Sequence, residues 1–332
     1  MKIAIVSDAW LPQTNGVVRT LSALRRELLG FGHEVVMITP ERFTTIPCPT
    51  YAEIRLAVVP GFEVDRILTE FGPDAIHVAT EGPLGYAARR FCRRRKLPFT
   101  TSFHTKFPDY IKARFGVPMR WTYALLRRFH AAASATMVAT DSVRRELEAQ
   151  GFGRLKRWTR GVDMLSFRPM AKLEGKYPRP IFLYVGRVAV EKNLPAFLDL
   201  DLPGTKLVVG DGPEREALQR RHPDVRFVGR QEGEDLANFY AMSDVFVFPS
   251  KTDTFGLVML EALASGVPIA ALPVPGPIDL IEDSGVGVLD WDLRRAALAC
   301  LEIEPEACRA RALEFSWATS AQQFLSNLHR FG

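Results

Sequence analysis

Residues 1–39 read MKIAIVSDAWLPQTNGVVRTLSALRRELLGFGHEVVMIT and contain one complete strand–helix–strand pattern. The short apolar runs 3–7 and 34–39 are rich in β-branched residues, and each predicts a strand. Between them, 17–29 carries leucines at helical spacing with charged residues on the other face, which predicts an amphipathic helix. Two strands joined by a helix are typical of a βαβ unit and therefore of a parallel sheet.

The same alternation of strand and helix patterns continues along the chain and is interrupted once. The interruption is a turn-rich segment at 161–180, which is typical of a connection between domains. Before it, further strands are predicted at 53–59, 75–79, 99–103, 136–139 and 155–159. After it, the predicted strands are 181–185, 206–209, 226–228, 245–248 and 269–272, and the predicted helices are 214–221, 234–242, 257–264 and 317–328.

We therefore expect an α/β protein with two Rossmann-like, doubly wound parallel-sheet domains. The expected boundaries are 1–163 for the N-terminal domain, 164–180 for the linker, 181–312 for the C-terminal domain and 313–332 for a C-terminal helix. Because parallel sheets bind ligands outside the carboxyl ends of their strands, we expect the site in a central cleft that both domains face.

Composition and charge limit the class of protein. The 332 residues are 47% hydrophobic and 24% charged, as is typical of a globular chain. The net charge of +5 is too small to indicate nucleic acid, but residues 1–163 hold 25 basic and 15 acidic side chains, against 18 and 23 in the remainder. The four widely spaced cysteines match neither a zinc site nor a disulfide framework. The sequence shows no signal-peptide pattern, and its apolar runs are shorter than the roughly 20 residues that a membrane-spanning helix needs. We therefore expect a cytoplasmic protein with at most peripheral membrane contact.

Three strand-to-helix loops carry groups that suit a phosphate. Asn15-Gly16 opens the first helix, whose N–H groups can bind an anion, although an ordinary helix cap explains the two residues equally well. Arg187 and Lys192 follow the strand 181–185, and two cations in one loop suit a diphosphate; the alternative is a solvated surface loop. Gly210-Asp211-Gly212-Pro213 is a third such turn, and backbone geometry alone explains its composition.

The most specific segment, 248–268, reads FPSKTDTFGLVMLEALASGVP. A strand ends in a polar turn with Asp253, and Gly256 then begins a helix that carries Glu261 among apolar neighbours. A carboxylate at that depth needs a hydrogen-bond donor, and ribose hydroxyls are suitable donors. The N–H groups that open the helix suit a phosphate. A nucleotide-sugar pocket explains this segment better than a helix cap and an exposed acid do.

Taken in order, these motifs resemble the retaining family 4 glycosyltransferases of GT-B architecture, within them the GDP-mannose-dependent α-mannosyltransferases and diacylglycerol glycosyltransferases. The resemblance also rests on Thr80-Glu81-Gly82-Pro83-Leu84-Gly85 and on Ser102-Phe103-His104-Thr105 followed by Tyr110. It implies that the N-terminal domain binds the acceptor and the C-terminal domain the nucleotide sugar, with the C-terminal helix crossing back to the N-terminal domain.

The resemblance implies roles for the matching residues. Arg187 and Lys192 would neutralise the donor diphosphate, and His104 would face the transferred sugar near the reacting centre. Asp253 stands where the family has the first Glu of an E-x7-E pair, and its side chain is one methylene shorter. The other implied donor-side positions are Gly16, Gly229, Arg230, Phe255, Gly256, Leu257 and Glu261, and the acceptor-side candidates are Asn15, Thr80, Glu81 and Tyr110.

A retaining transfer passes through an oxocarbenium-like centre and needs a stabilised leaving group. Arg187, Lys192 and helix N-termini can supply that charge, so we expect neither a metal nor another cofactor. The two D-x-D strings, Asp199-Leu-Asp201 and Asp290-Trp-Asp292, do not fit the context of a metal-binding strand end. By resemblance, the donor phosphate accepts the proton of the acceptor hydroxyl, and no side-chain base is assigned.

Basic and aromatic residues alternate over 107–129, and a run rich in arginine precedes them at 89–96. The run is explained by a helix C-terminus, but the combination suits an anionic lipid surface, at about 1 kcal/mol per basic residue. We therefore expect the N-terminal domain to dock on the inner membrane face and to take a lipid or glycan acceptor. A soluble-acceptor glycosyltransferase and a nucleotide-sugar epimerase or non-catalytic binder stay open as alternatives. The resemblance favours GDP-mannose as donor, narrowly ahead of UDP-glucose or UDP-glucuronate.

Overall fold

The structure, a computed structural model, describes residues 1–13, 15–48, 51–170 and 176–331. Within these ranges, the description does not extend to the side chains at 51–53, 110 and 113–115. The chain forms two compact units. Unit 1 comprises Met1–Arg160 together with Trp317–Gly332, and unit 2 comprises Gly161–Ser316.

Unit 1 is built on a parallel sheet. Its described strands are β1 Lys2–Val6, β2 Glu34–Ile38, β3 Thr45–Cys48, β4 Tyr51–Ala57, β5 Ala75–Val78, β6 Thr100–Phe103, β7 Ala135–Val138 and β8 Leu155–Arg157. Its described helices are α1 Gly16–Gly30, α2 Gly61–Phe71, α3 Pro83–Arg95, α4 Phe107–Phe115, α5 Met119–His130 and α6 Asp141–Ala149, with a 3-10 turn at Pro40–Arg42 and the C-terminal helix at Trp317–Asn327. Six strands form one parallel sheet in the order β2-β1-β5-β6-β7-β8, as the strand–helix alternation predicts.

The two faces of this sheet carry separate hydrophobic clusters, because successive side chains of a strand point to opposite faces. Ala4 and Val6 of β1 belong to one cluster, and Ile3 and Ile5 belong to the other. Phe324 of the C-terminal helix packs into the Ile3–Ile5 cluster, and the helix lies against α1. The prediction that the C-terminal helix packs on the N-terminal domain is confirmed.

The segment predicted as a strand at 53–59 is a strand, but it does not join the parallel sheet. It is β4, which pairs in antiparallel register with β3, for example Ile46 with Leu56. Only two residues separate β3 from β4, and a parallel crossover needs a dozen or more. The prediction of its place in the sheet was therefore wrong, and β3 itself was missed.

Unit 2 repeats the parallel arrangement. Its described strands are β9 Ile181–Val185, β10 Thr205–Val209, β11 Arg226–Gly229, β12 Val245–Phe248, β13 Ile269–Ala271 and β14 Gly287–Leu289. Its described helices are α7 Pro195–Leu198, α8 Arg215–Arg221, α9 Gly233–Met242, α10 Leu257–Ala264, α11 Pro277–Ile281, α12 Leu293–Ala299 and α13 Pro305–Leu313, with 3-10 turns at Val190–Lys192 and Cys300–Glu302. The strand order is β11-β10-β9-β12-β13-β14, and β9 and β12 are buried at every position. Two Rossmann-like units are present, as predicted from the sequence.

Candidate functional site

Two loops of unit 2 lie side by side because the strands before them are neighbours. β9 pairs with β12, so the loop 186–193 and the loop 249–256 leave the same edge of the sheet. The Asn193 side-chain amide donates to the Pro249 carbonyl at 3.0 Å, and the Thr252 hydroxyl donates to the Glu191 carbonyl at 3.3 Å. These bonds fix the two loops as one surface at the carboxyl edge of the sheet, where parallel sheets bind their ligands.

The structure joins two of the residues singled out from the sequence across these loops. Lys192 Nζ lies 2.7 Å and 2.8 Å from the two carboxylate oxygens of Asp253. Each side chain is 19% exposed, so the ion pair is largely removed from water but still open on one side. An anionic ligand that approaches Lys192 must therefore compete with Asp253.

The loop after β10 makes close backbone contacts with the loop after β9. A Cβ atom at Gly210 would lie 1.8 Å from the Gly186 carbonyl oxygen, and one at Gly212 would lie 2.3 Å from the Val188 carbonyl oxygen. The Val188 N–H also donates to the Asp211 carbonyl at 2.9 Å. Glycine is required at 210 and 212 for this approach, which matches the interpretation of that turn as a matter of backbone geometry.

Three further donor-side candidates surround these loops. The carbonyl of Arg187 accepts a hydrogen bond from the Tyr184 hydroxyl at 2.9 Å, which helps to shape the loop after β9. Gly229 ends β11 with φ +77°, and its carbonyl accepts from the Gly210 N–H at 2.8 Å. The Arg230 guanidinium pairs with Glu232 in its own loop and is half exposed, so the structure gives it a carboxylate partner on the protein.

Helix α10 carries the second acid of the segment 248–268. Gly256 precedes it in the left-handed region with φ +79°, Leu257 begins it, and Phe255 is buried with its ring 6.3 Å from that of Phe315. Glu261 is 6% exposed, and its Oε2 accepts a hydrogen bond from the Tyr240 hydroxyl of α9 at 2.9 Å. The need for a donor was thus correctly inferred, but Tyr240 was missed as a donor because it lies 21 positions away on another helix.

In unit 1, Asn15 acts as the cap of α1. Its Oδ1 accepts from the N–H groups of Val17 and Val18, each at 3.0 Å, and Gly16 is the exposed first residue of the helix. The helix-cap interpretation therefore accounts for this side chain, and the roles of Asn15 and Gly16 toward ligands stay predictions.

Thr80 serves a buried carboxylate that the sequence interpretation did not single out. Asp8, directly after β1, accepts from the Thr80 hydroxyl at 2.8 Å and from the N–H groups of Leu84 and Gly85 at 2.9 and 3.3 Å. Burial raises the pKa of the Asp8 carboxyl, and the hydrogen bonds from Leu84, Thr80 and Gly85 act in the opposite direction. The first turn of α3 thus donates hydrogen bonds to a carboxyl group of the protein itself.

Glu81 takes part in a second buried network. Its Oε1 lies 3.0 Å from His130 Nε2, and His130 Nδ1 lies 2.9 Å from the Thr101 hydroxyl. The Thr101 hydroxyl also meets that of Thr136 at 2.9 Å. The carboxylate, imidazole and hydroxyl groups form hydrogen bonds with one another, and these bonds offset the cost of burying polar side chains at the sheet.

His104 lies at the end of β6 with both ring nitrogens engaged. Nε2 lies 2.8 Å from the Ser102 hydroxyl and Nδ1 lies 3.2 Å from Nη2 of Arg160. The ring stands edge-on to Trp158 at a centroid distance of 5.6 Å. Burial of the ring, and then the positive charge of Arg160, hold the pKa of His104 well below its ordinary value.

The basic and aromatic segment 107–129 divides into buried and exposed residues. Tyr123 and Phe129 of α5 are buried in the hydrophobic core, whereas Trp121 is 64% exposed and Leu125, one turn further, is 58% exposed. Arg120 stacks on the Trp121 ring at 5.5 Å. The Tyr110 side chain, an acceptor-side candidate, lies outside the described residues.

The two acids of the second D-x-D string have structural partners in unit 2. Asp290 pairs with Arg295, and Asp292 caps α12 by accepting from two backbone N–H groups. Over the described ranges, no group of three or more His, Cys, Asp or Glu side chains is placed to hold a metal ion. Over the same ranges, no helix has the length and apolar character that a membrane crossing requires.

Two Rossmann-like units in one chain, each with a six-stranded parallel sheet, define a GT-B fold. Sucrose-phosphate synthase from Thermosynechococcus elongatus superposes with a TM-score of 0.78 at 21% identity, over 98% of this chain and 97% of that chain. This likeness shows the fold and agrees with the fold predicted from the sequence.

Comparison of sequences shows the family. The family model Glycosyltransferase Family 4 matches residues 14–164, and the model Glycosyl transferases group 1 matches residues 179–303. The chain belongs to the family 4 glycosyltransferases, as its motifs indicate. It is 34% identical over 316 residues to a GDP-mannose-dependent alpha-mannosyltransferase of Mycobacterium tuberculosis, covering 87% of this chain and 83% of the relative. It is 28% identical over 376 residues to an alpha-monoglucosyldiacylglycerol synthase of Streptococcus pneumoniae, covering 100% and 85%.

Proposed function

We propose that the chain is a retaining, metal-independent hexosyltransferase that moves mannose from GDP-mannose to a hydroxyl of a membrane lipid or lipid-linked acceptor. The observation that carries the donor half is the Lys192–Asp253 pair at the carboxyl edge of the unit 2 sheet, in which Asp253 shares its strand–loop–helix segment with the buried Glu261. The name of the mycobacterial relative supports GDP-mannose, and that of the pneumococcal relative supports a lipid acceptor.

On the donor side, each group has a task that its position suits. Lys192 and Arg187 in the loop after β9 neutralise the diphosphate, and the N–H groups that open α10 add to this field. Glu261 accepts from the ribose hydroxyls while Tyr240 holds its Oε2. Asp253 orients the transferred sugar, and Gly229-Arg230 borders the base.

A thermal-shift panel of GDP, UDP and ADP is the first test. The preferred nucleotide at 100 times its Kd raises the unfolding free energy by about 2.7 kcal/mol, and we expect GDP to be that nucleotide. A preference for UDP would move the donor to UDP-glucose or UDP-glucuronate. No response to any of the three would reject the donor-site assignment.

Transfer itself is measured with radiolabelled GDP-mannose and membrane lipid extract. Lys192→Ala and Glu261→Ala each abolish most of the product, while hydrolysis or epimerisation without transfer would reject the transferase. NMR of the product gives an α linkage for a retaining reaction. Activity survives EDTA, and a complete loss that Mg²⁺ restores would reject metal independence.

The acceptor side rests on the exposed face of α5, which we define as Trp121, Leu125 and Arg128. These residues are spaced at i, i+4 and i+7, so they share one side of the helix, and all three are exposed. An apolar pair beside arginines binds anionic lipid headgroups through both burial and charge.

Vesicle flotation tests this face. Wild-type protein floats with vesicles that contain phosphatidylglycerol and is released by high salt. Replacing Trp121 and Leu125 together by serine removes most of the binding. Trp291→Ser in unit 2, where the tryptophan is 68% exposed, is the matched control and binds as wild type does. If the control variant lost binding equally, or if wild type stayed in solution and transferred to a water-soluble sugar, the membrane part of the proposal would fail.

A further inference from the structure

Arg160 is a buried arginine whose contacts differ from those of an ordinary ion pair. It is 4% exposed, its Nη1 donates to the Trp158 carbonyl at 2.6 Å, and its guanidinium lies 4.5 Å from the centre of the Trp158 ring. Its Nη2 lies 3.2 Å from His104 Nδ1. Among the described residues, no carboxylate lies within ion-pair distance of Arg160. A buried cation without a carboxylate is costly to the fold, which points to a use for it beyond stability.

The geometry determines where the His104 proton lies. A guanidinium carries only donors, so His104 Nδ1 must accept and cannot hold a proton. The single ring proton of the neutral imidazole is then on Nε2, which donates to the Ser102 hydroxyl at 2.8 Å. The Ser102 hydroxyl in turn has the Ala79 carbonyl at 3.3 Å and His77 Nε2 at 3.1 Å as acceptors for its own proton. Protonating His104 would place two N–H groups against each other at 3.2 Å.

Three basic groups of the described residues act on His104 from neighbouring elements. They are Arg160 after β8, His77 on β5 and His130 on α5. His130 offers a comparison within the same unit, because its Nε2 faces the Glu81 carboxylate, an acceptor, where His104 Nδ1 faces a donor. A donor such as the Arg160 guanidinium opposes protonation of the nitrogen that it faces.

We propose that Arg160 is a positioning residue that holds His104 neutral, with its proton on Nε2 and its ring in one orientation. Its role in transfer rests on the proposed function and on the family resemblance, which implies that His104 faces the transferred sugar. The anomeric centre becomes positive as the leaving group departs, and a neutral imidazole adds no second cation beside it.

The proton position can be measured without any reaction. The intact chain, labelled with ¹⁵N in its six histidines, is examined by long-range ¹H–¹⁵N NMR, and His104 is assigned by loss of its signals in His104→Gln. We expect an unprotonated Nδ1 and a protonated Nε2 at every pH between about 5 and 8, the range in which histidine ordinarily titrates. A wild-type His104 that carries a proton on Nδ1, or that becomes doubly protonated in this range, would overturn the proposal.

Variants distinguish an effect of Arg160 on His104 from a contribution of Arg160 to folding alone. In Arg160→Met, Nδ1 of His104 loses its donor, so we expect the ring proton to distribute between Nδ1 and Nε2 and the pKa to rise, while burial still opposes the imidazolium. In Arg160→Lys, which keeps a buried donor and charge, the proton stays on Nε2. Arg309→Met is the matched control: Arg309 in unit 2 also donates to backbone carbonyls, at 2.6 Å to Phe167 and 2.6 Å to Ala264, and its loss leaves the His104 signals unchanged. If Arg160→Met fails to fold, the spectra of wild type and Arg160→Lys still show whether the His104 proton lies on Nε2. An unchanged His104 in a folded Arg160→Met protein would reject the role of Arg160.

The reaction gives a second, separate readout. The rate of transfer from GDP-mannose in wild type has no acid limb that belongs to His104, whereas Arg160→Met gains a limb in which the rate falls tenfold per pH unit below the new pKa of His104. If neither protein transfers mannose while the NMR result holds, the proposed donor is wrong and the positioning is right. If both transfer with the same pH profile, Arg160 does not act through His104.

Discussion

The contact between Lys192 and Asp253 leads us to predict that a substitution in the donor site increases the affinity for GDP. Lys192 Nζ is bound by both oxygens of the Asp253 carboxylate, at 2.7 and 2.8 Å. A diphosphate must take this ammonium from Asp253 or share it. Asp253→Asn keeps the size of the side chain and removes its charge, so Lys192 becomes available. We therefore predict that Asp253→Asn binds GDP more tightly than wild type and transfers sugar more slowly.

The expected gain in the free energy of GDP binding can be estimated from the exposure of the Lys192–Asp253 pair. A hydrogen bond to a charged group contributes about 1.5–3 kcal/mol, and the 19% exposure of both side chains allows some screening by water. We therefore expect a gain of about 1–2 kcal/mol in GDP binding, which is roughly a 5- to 30-fold lower Kd. Lys192→Met loses the cation and raises the Kd by roughly 10-fold or more. In the double variant, Asp253→Asn adds nothing, because its effect acts through Lys192.

Isothermal titration with GDP at fixed ionic strength measures all four proteins. Asp211→Asn is the matched control, since Asp211 pairs with Arg215 at 2.9 Å in a neighbouring loop of the same unit and is about half exposed. We expect it to change the Kd by less than about twofold, as exposed ion pairs contribute little. If Asp253→Asn weakened GDP binding, or if its effect persisted in the Lys192→Met background, the competition between carboxylate and diphosphate would be refuted.

Three further predictions concern stability. Burial lowers the pKa of His77 to about 3, so between about pH 3 and 6.5 only the unfolded chain binds this proton; the unfolding free energy then falls by about 1.4 kcal/mol for each unit by which the pH falls, a slope that urea titrations detect and that His77→Gln reduces. Gly210→Ala forces a Cβ against the Gly186 carbonyl and costs about 2–4 kcal/mol by urea unfolding, whereas Gly30→Ala, with open space around it, is close to neutral. Thr80→Val removes one partner of the buried Asp8 and costs about 1 kcal/mol by urea unfolding; unchanged stability with an altered KM for the acceptor would return Thr80 to its predicted acceptor-side role.

The parallel architecture could be predicted because long apolar runs specify buried strands. β9 and β12 were predicted with the bounds that the structure has, since each run is apolar throughout and ends at a polar turn. β14 and β3 were missed for physical reasons. β14 is three half-buried residues, and β3 contains Pro47, which weakens a strand pattern.

The site was predictable only as a set of loops. Sequence position indicates which residues follow strands, and parallel topology brings those loops to one edge, as for Lys192 and Asp253. Which side chains then pair depends on contacts between segments far apart in sequence. Tyr240 reaches Glu261 from a neighbouring helix, and no local pattern around Tyr240 indicates this.

Asp8 and Arg160 show why buried charges are hardest to interpret from sequence. Each lies just beyond a strand end of unit 1, is at least nine-tenths buried, and would read locally as an ordinary polar loop residue. The fold compensates them differently: Asp8 has two backbone N–H donors and a hydroxyl at the start of α3, whereas Arg160 has backbone carbonyls, an aromatic face and a neutral imidazole. Burial lowers the pKa of Arg160 to about 9, so it is still charged at neutral pH and its cost to the fold is not removed by proton loss. Asp8 helps to complete a helix, whereas the contacts of Arg160 beyond its own segment include His104, so the burial of Arg160 is better explained by function than by stability.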